Sequence, residues 1–180
     1  MGHLRTLSQE DIDGSTVPEL ARANFFHRES VRAVFIDGVG AVALLHSTKR
    51  SYLKLPGGGI EEGEDRATAL YRELLEETGC KSHIICELGR VVEYRDFVCM
   101  EQTSDCYIAQ VEGQKGAPSY TEDEISEGFE LVWAPNINEA LRLVRGVDPL
   151  NDLQIKFMRQ RELVILEAAQ EVLARGIEHA

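Results

Sequence analysis

The order of apolar and polar positions predicts most of the elements of this chain. Val31 to Ile36 is dense in β-branched and aromatic residues, Asp37-Gly38 is a hairpin signal, and Ala41 to Leu45 returns as a second strand. Tyr52 to Leu55 is short and apolar, and Pro56-Gly57-Gly58-Gly59 after it must be a loop. From Asp65 to Thr78 the period becomes helical, with Ala67, Leu70, Tyr71, Leu74 and Leu75 on one broad face and Gly79 as the stop. Ile84 to Tyr94 and Phe97 to Val111 read as strands joined by a tight turn at Arg95-Asp96. A loop spans Gly113 to Glu124, and Phe129 to Trp133 is a further strand. Asn138 to Val144 makes a short helix. Asp148-Pro149 reads as a helix start, and an apolar stripe runs from Leu153 to Ala174. The first 28 residues look polar and irregular, with a short helix after Pro18. Asp11-Ile12-Asp13-Gly14 reads as a turn, because the later ligands of a calcium loop are missing. The result is a layered α/β domain closed by a long C-terminal helix.

Composition sets the bounds. A chain of 180 residues, 43% hydrophobic and 28% charged, can bury a core without disulfide or metal staples. We expect an extension over 1–28, one domain over 29–148 and a packed helix over 149–180. The charge is uneven. Lys and Arg number 19 against 31 Asp and Glu, a net of −12. Residues 59–77 hold seven acids against two arginines, and residues 121–130 hold five acids and no base. Such a surface disfavours a nucleic-acid polymer and an anionic membrane as partners. No apolar run is long enough to cross a bilayer, and Met1 to Leu20 lacks the apolar stretch of a secretion signal, so the expectation is a cytoplasmic protein. The four cysteines show no metal-binding spacing and read as reduced thiols.

Glu73, Glu76 and Glu77 stand at i, i+3 and i+4 on the central helix, beside its apolar face. They repel one another, and they lie near the helix C-terminus, where the helix dipole already opposes anions. A hard divalent cation would relieve both effects. By itself, such a pattern is usually a solvated face. Gly57-Gly58-Gly59 by itself is usually a flexible turn, without the Lys-Ser/Thr of a Walker loop or the spacing of a dinucleotide loop.

Taken together, the stretch resembles the signature of the Nudix hydrolases: G, five residues, E, seven residues, R-E-U-x-E-E-x-G-U, where U is bulky and apolar. Here it runs Gly58, five residues, Glu64, seven residues, then Arg72-Glu73-Leu74-Leu75-Glu76-Glu77-Thr78-Gly79-Cys80. All seven invariant letters match, which by chance alone is on the order of 10⁻⁶ for this chain. Cys80, smaller than the usual aliphatic residue, is the one departure.

The resemblance implies an α/β/α sandwich with a mixed central sheet, and hydrolysis of a phosphoanhydride. It implies that Glu73, Glu76 and Glu77 hold Mg²⁺ or Mn²⁺, with the Gly57 carbonyl as a further ligand. Gly58 and Gly59 would lie against substrate, and Glu64 and Arg72 would fix the loop to the helix. Glu127, six residues before Trp133, is the candidate for an additional carboxylate. Asn151 could offer an amide to a purine edge, as in the nucleotide-sanitising branch.

The box does not choose the substrate. The absence of proline between Lys81 and Gly116 weakens an ADP-ribose reading, and Tyr94 falls slightly short of the dinucleoside polyphosphate position. We rank a nucleoside triphosphate or damaged nucleotide first, with a nucleoside diphosphate sugar or dinucleotide second. A non-catalytic binding module of the same fold is the rival class. A homodimer through the sheet or the long helix is compatible with the pattern.

Overall fold

The computed structural model describes residues 1–15 and 19–176. Seven strands form one mixed sheet in the order β1-β5-β6-β2-β3-β4, with β7 also paired to β3. These are β1 (His3–Leu7), β2 (Phe26–Ile36), β3 (Val42–Ser47), β4 (Tyr52–Lys54), β5 (Lys81–Arg95), β6 (Met100–Glu112) and β7 (Phe129–Ala134). The β1–β5 and β2–β6 pairs are parallel and the others antiparallel. The helices are α1 (Gln9–Asp13), α2 (Arg66–Thr78), α3 (Glu122–Glu127), α4 (Ile137–Arg145) and α5 (Leu153–Ala174). Among the described residues no helix is long and apolar enough to cross a membrane.

Alternation along β2 divides the core. Val31, Ala33 and Phe35 pack with Leu70 and Leu74 of α2 on one face. Val34 and Ile36 pack on the other with α4 and α5, through Leu141, Phe157 and Ile165. This is the expected sandwich, with helices on both faces of a mixed sheet. Leu70 and Leu74 are completely buried, so truncating either to Ala should cost about 2–5 kcal/mol.

The site arises where the sheet forks. β2 and β3 share a single register pair, Ile36 with Val42. Beyond it they diverge, and the Pro56–Ile60 loop fills the gap with backbone bonds to the free edge of β2. Val31 donates to the Gly58 carbonyl at 2.9 Å, Ala33 to Pro56 at 3.1 Å, and Ile60 to Glu29 at 3.2 Å. The loop that precedes α2 is thereby held as if it were a strand.

Several local expectations are corrected. Residues 3–7 form a strand whose backbone is bonded to β5; its side chains are mostly exposed, so it left no hydrophobic signal. Asp11 and Asp13 lie in a short helix capped by Ser8 and ended by Gly14, rather than in a turn alone. Residues 19–24 form a 3₁₀ turn after Pro18. The loop expected over 113–124 ends in α3, which Thr121 and Glu124 cap reciprocally. The last helix starts at Leu153, capped by Asp152 rather than by Asp148-Pro149. Leu150 takes a left-handed conformation there (φ 47°) and breaks any earlier turn. On α2, Tyr71 and Leu75 are exposed, whereas Glu77 and Thr78 join Leu70 and Leu74 on the buried stripe.

Candidate active site

α2 carries most of the site. Asp65 caps it, accepting from the Thr68 amide at 2.8 Å, and Gly79 ends it in the left-handed region. Arg72 organises the loop before it. Its Nε and Nη2 each donate to a Glu64 oxygen at 2.9 Å, Nη2 also donates to the Gly59 carbonyl at 3.1 Å, and Nη1 reaches Glu73 at 2.8 Å. The bonds to Glu64 are the main reason that the Arg72 guanidinium is held above its ordinary range. They also hold Glu64 below the usual carboxylate range. Arg72 thus ties Glu64 and the Gly59 carbonyl of the loop to α2.

Glu77 is only 2% exposed. Its Oε2 accepts from the Gly57 amide at 2.6 Å and its Oε1 from the Lys54 ammonium at 2.9 Å. Burial pushes this carboxyl up to about 7, even though Lys54 and the Gly57 amide pull it down. At Gly58 an added Cβ would strike the Glu73 carboxylate, the movable end of that side chain. Gly57 sits at φ 130° with its missing Cβ against the backbone of Val31.

These groups line one cavity of about 410 Å³. Gly57, Gly58, Gly59, Arg72, Glu73, Glu76 and Glu77 all reach it, whereas Glu64 stands behind them on Arg72. Arg28, Arg32, Lys54, Thr121 and Glu124 line it too, and none of them belongs to the box. Three of these carry a sequence signal: Arg32 interrupts the apolar run of β2, and Thr121-x-x-Glu124 is a capping-box spacing. Lys54 left none.

Glu127 is not among the lining residues. Its Oε2 is buried without a hydrogen-bond partner among the described residues, and its charge acts on Arg50 and Tyr52. Asn151 is exposed in the turn before α5. Its neighbours Leu150 and Asp152 border a separate cavity of about 310 Å³ with Lys49 and Arg50.

The donor set of the larger cavity fits a hard divalent cation, since its anionic groups are all carboxylates. Among the described residues, no three acidic, His or Cys side chains form a ready cation cage. The reason is visible: Arg72 and Lys54 already pair with Glu73 and Glu77.

A mixed sheet between helices, forked around a glycine loop that leads into an acidic helix, defines the Nudix class. Residues 26–146 match the NUDIX domain family, and the chain belongs to it. Among curated relatives it is similar to an RNA pyrophosphohydrolase of Dinoroseobacter shibae, 37% identical over 73 residues, which are 38% of this chain and 46% of that protein. An RNA pyrophosphohydrolase of Sulfurovum sp. is 58% identical over 46 residues, 25% of this chain and 29% of that one. The matches thus span less than half of those relatives. In fold, the chain is similar to the E. coli ORF135 protein, with a TM-score of 0.56 and 21% identity, covering 84% of this chain and 94% of that one. A NUDIX hydrolase from Nitrosomonas europaea gives a TM-score of 0.56 at 19% identity, covering 76% and 89%.

Proposed function

We propose that this protein is a Mg²⁺- or Mn²⁺-dependent pyrophosphohydrolase that cleaves the phosphoanhydride of a nucleoside triphosphate or another nucleoside diphosphate derivative. The observation that carries this reading is the single cavity in which Glu73, Glu76 and Glu77 meet Arg28, Arg32 and Lys54. Carboxylates for a cation and cations for phosphates are both needed by such a substrate, and here they line the same cavity. A bound divalent cation would neutralise the diphosphate and acidify a water for attack on phosphorus. Glu73, Glu76 and Glu77 hold that cation in this reading, with the Gly57 carbonyl beside them. Arg72 and Glu64 keep the loop seated on the helix. Glu127 is the further carboxylate, on the ground that its buried Oε2 has no partner. Asn151 is the purine contact, on the weaker ground of its position beside the second cavity.

A second reading is a 5′-triphosphate end of RNA, favoured by the names of the curated relatives. The net charge of −12 argues against a long polymer, so the small nucleotide stands first. The test is Mg²⁺-dependent phosphate release, coupled to a phosphatase, across nucleoside triphosphates, nucleoside diphosphate sugars, dinucleoside polyphosphates and a short 5′-triphosphorylated RNA. Turnover on at least one substrate is expected. Glu76→Gln should abolish most of it while leaving the far-ultraviolet circular dichroism unchanged, and near-wild-type turnover in that variant would sink the metal assignment.

A further inference from the structure

The opposite face of β2 holds a charge that the acidic helix does not explain. Arg32 is 5% exposed, lines the cavity beside Lys54 and Glu77, and forms no ion pair among the described residues. Among the described residues its one side-chain hydrogen bond runs from Nη1 to the neighbouring Val31 carbonyl at 3.0 Å. Its Nε is buried without a hydrogen-bond partner among the described residues. A guanidinium presents five N–H donors, so most of its capacity is unspent.

The groups behind Arg32 offset its charge only in part. Arg161 of α5 donates to Glu93 at 3.2 Å and to Glu162 at 2.5 Å, and Arg95 donates to Glu93 at 2.8 Å. Glu93 accepts from both Arg95 and Arg161, and Glu162 accepts from Arg161 through Oε1 alone, so three guanidiniums share two carboxylates. The Glu162 Oε2 is buried without a hydrogen-bond partner among the described residues and acts on Arg32 through its charge only. The remaining nearby acid, Glu77, is taken by Lys54. A buried cation with free donors at the wall of a cavity needs an anion. Its planar fork suits a phosphate's paired oxygens.

We propose that Arg32 is a substrate-binding residue that anchors a non-bridging phosphate oxygen of the diphosphate from the face of β2 opposite α2. This rests on the phosphoanhydride reading above. It adds that recognition comes from both sides of the sheet fork: carboxylates on α2 for the cation, and a buried guanidinium on β2 for the phosphate.

The probe is imidodiphosphate, a hydrolysis-resistant diphosphate, with Mg²⁺. The Nε–H of Arg32 is shielded from solvent, so ¹⁵N-labelled wild-type protein should show its cross-peak, assigned by its loss in Arg32→Lys. That peak should shift on titration, and Arg32→Met should bind the probe about tenfold more weakly or worse by calorimetry, with Arg32→Lys in between. An unmoved peak at saturation, no binding by the wild type, or unchanged affinity in a folded Arg32→Met variant would each overturn the proposal. If Arg32→Met does not fold, the wild-type titration decides. Wild-type turnover with an unmoved Arg32 peak would defeat this inference alone. A shifted peak without turnover of any nucleotide would defeat the hydrolase reading and leave the anion site standing.

Discussion

The Lys54 ammonium lies 2.9 Å from the Glu77 carboxylate and also stands over the ring of Phe129, 4.5 Å from its centroid. A lysine from β4 thus neutralises the most deeply buried acid of the proposed metal helix. A divalent cation bound by Glu77 would have to share that oxygen with Lys54 or displace it.

Lys54→Met should therefore separate stability from metal affinity. Without metal, Glu77 loses its counter-charge, and the variant should be destabilised by about 1–3 kcal/mol. With Mg²⁺ or Mn²⁺, the competition is gone, so the metal-induced rise in Tm should exceed that of the wild type. Thermal melts with and without metal check both signs. An equal rise in the two proteins would show that Lys54 and the cation do not compete.

Two neighbouring glycines should respond differently to alanine. At Gly58 the new methyl would meet the movable end of Glu73, so stability should change little while turnover falls about a hundredfold as the carboxylate is displaced. At Gly57 it would meet the fixed Val31 carbonyl at a backbone angle that L-residues avoid, so Gly57→Ala should cost about 1–3 kcal/mol or more. Denaturant melts beside rate measurements distinguish the two.

Asp152 ties α5 to the loop before β4 by capping the Ile155 amide at 3.1 Å and accepting from Arg50 at 2.5 Å. Burial pushes its carboxyl up, but Arg50 and the Ile155 amide outweigh that and hold it below the ordinary 3.8. A carboxylate lowered by folding stabilises the protein above its unfolded value, and that contribution fades as acid carries the pH down through the folded value. Asp152→Ala should cost about 1 kcal/mol at neutral pH. Its urea midpoint should converge with that of the wild type in strong acid. A gap that persists there would mean that the loss is steric.

The thiols should react unequally. Cys99 is exposed, whereas Cys80, Cys86 and Cys106 are buried, and burial pushes Cys106 up to about 12. An aromatic disulfide reagent should label one thiol in the native protein and all four in denaturant. Rapid native labelling of more than one would contradict the packing around β5 and β6.

Local spacing made much of the site legible. Glu73, Glu76 and Glu77 sit within two turns of one helix, and Gly57 to Glu64 is the loop that leads into it, so short-range geometry alone relates them. The Glu64–Arg72 pair follows for the same reason. The acid at the far end of the site is a different case. Glu127 stands out by its distance from Trp133, whereas Glu124 of the same helix, which lines the cavity, carries only the spacing of its cap with Thr121.

The sequence by itself determined the sandwich class, the acidic helix and the glycine loop, because helical and strand periods and a contiguous motif are written in neighbouring residues. Only the tertiary structure decided that Arg28 and Arg32 of β2 and Lys54 of β4 enter the same cavity, and that Tyr71 and Leu75 turn outward while Glu77 is buried. Those outcomes depend on where β2 and β3 part and on what the loop over 56–60 bonds to. Such partners are distant in the chain, and no local pattern encodes them.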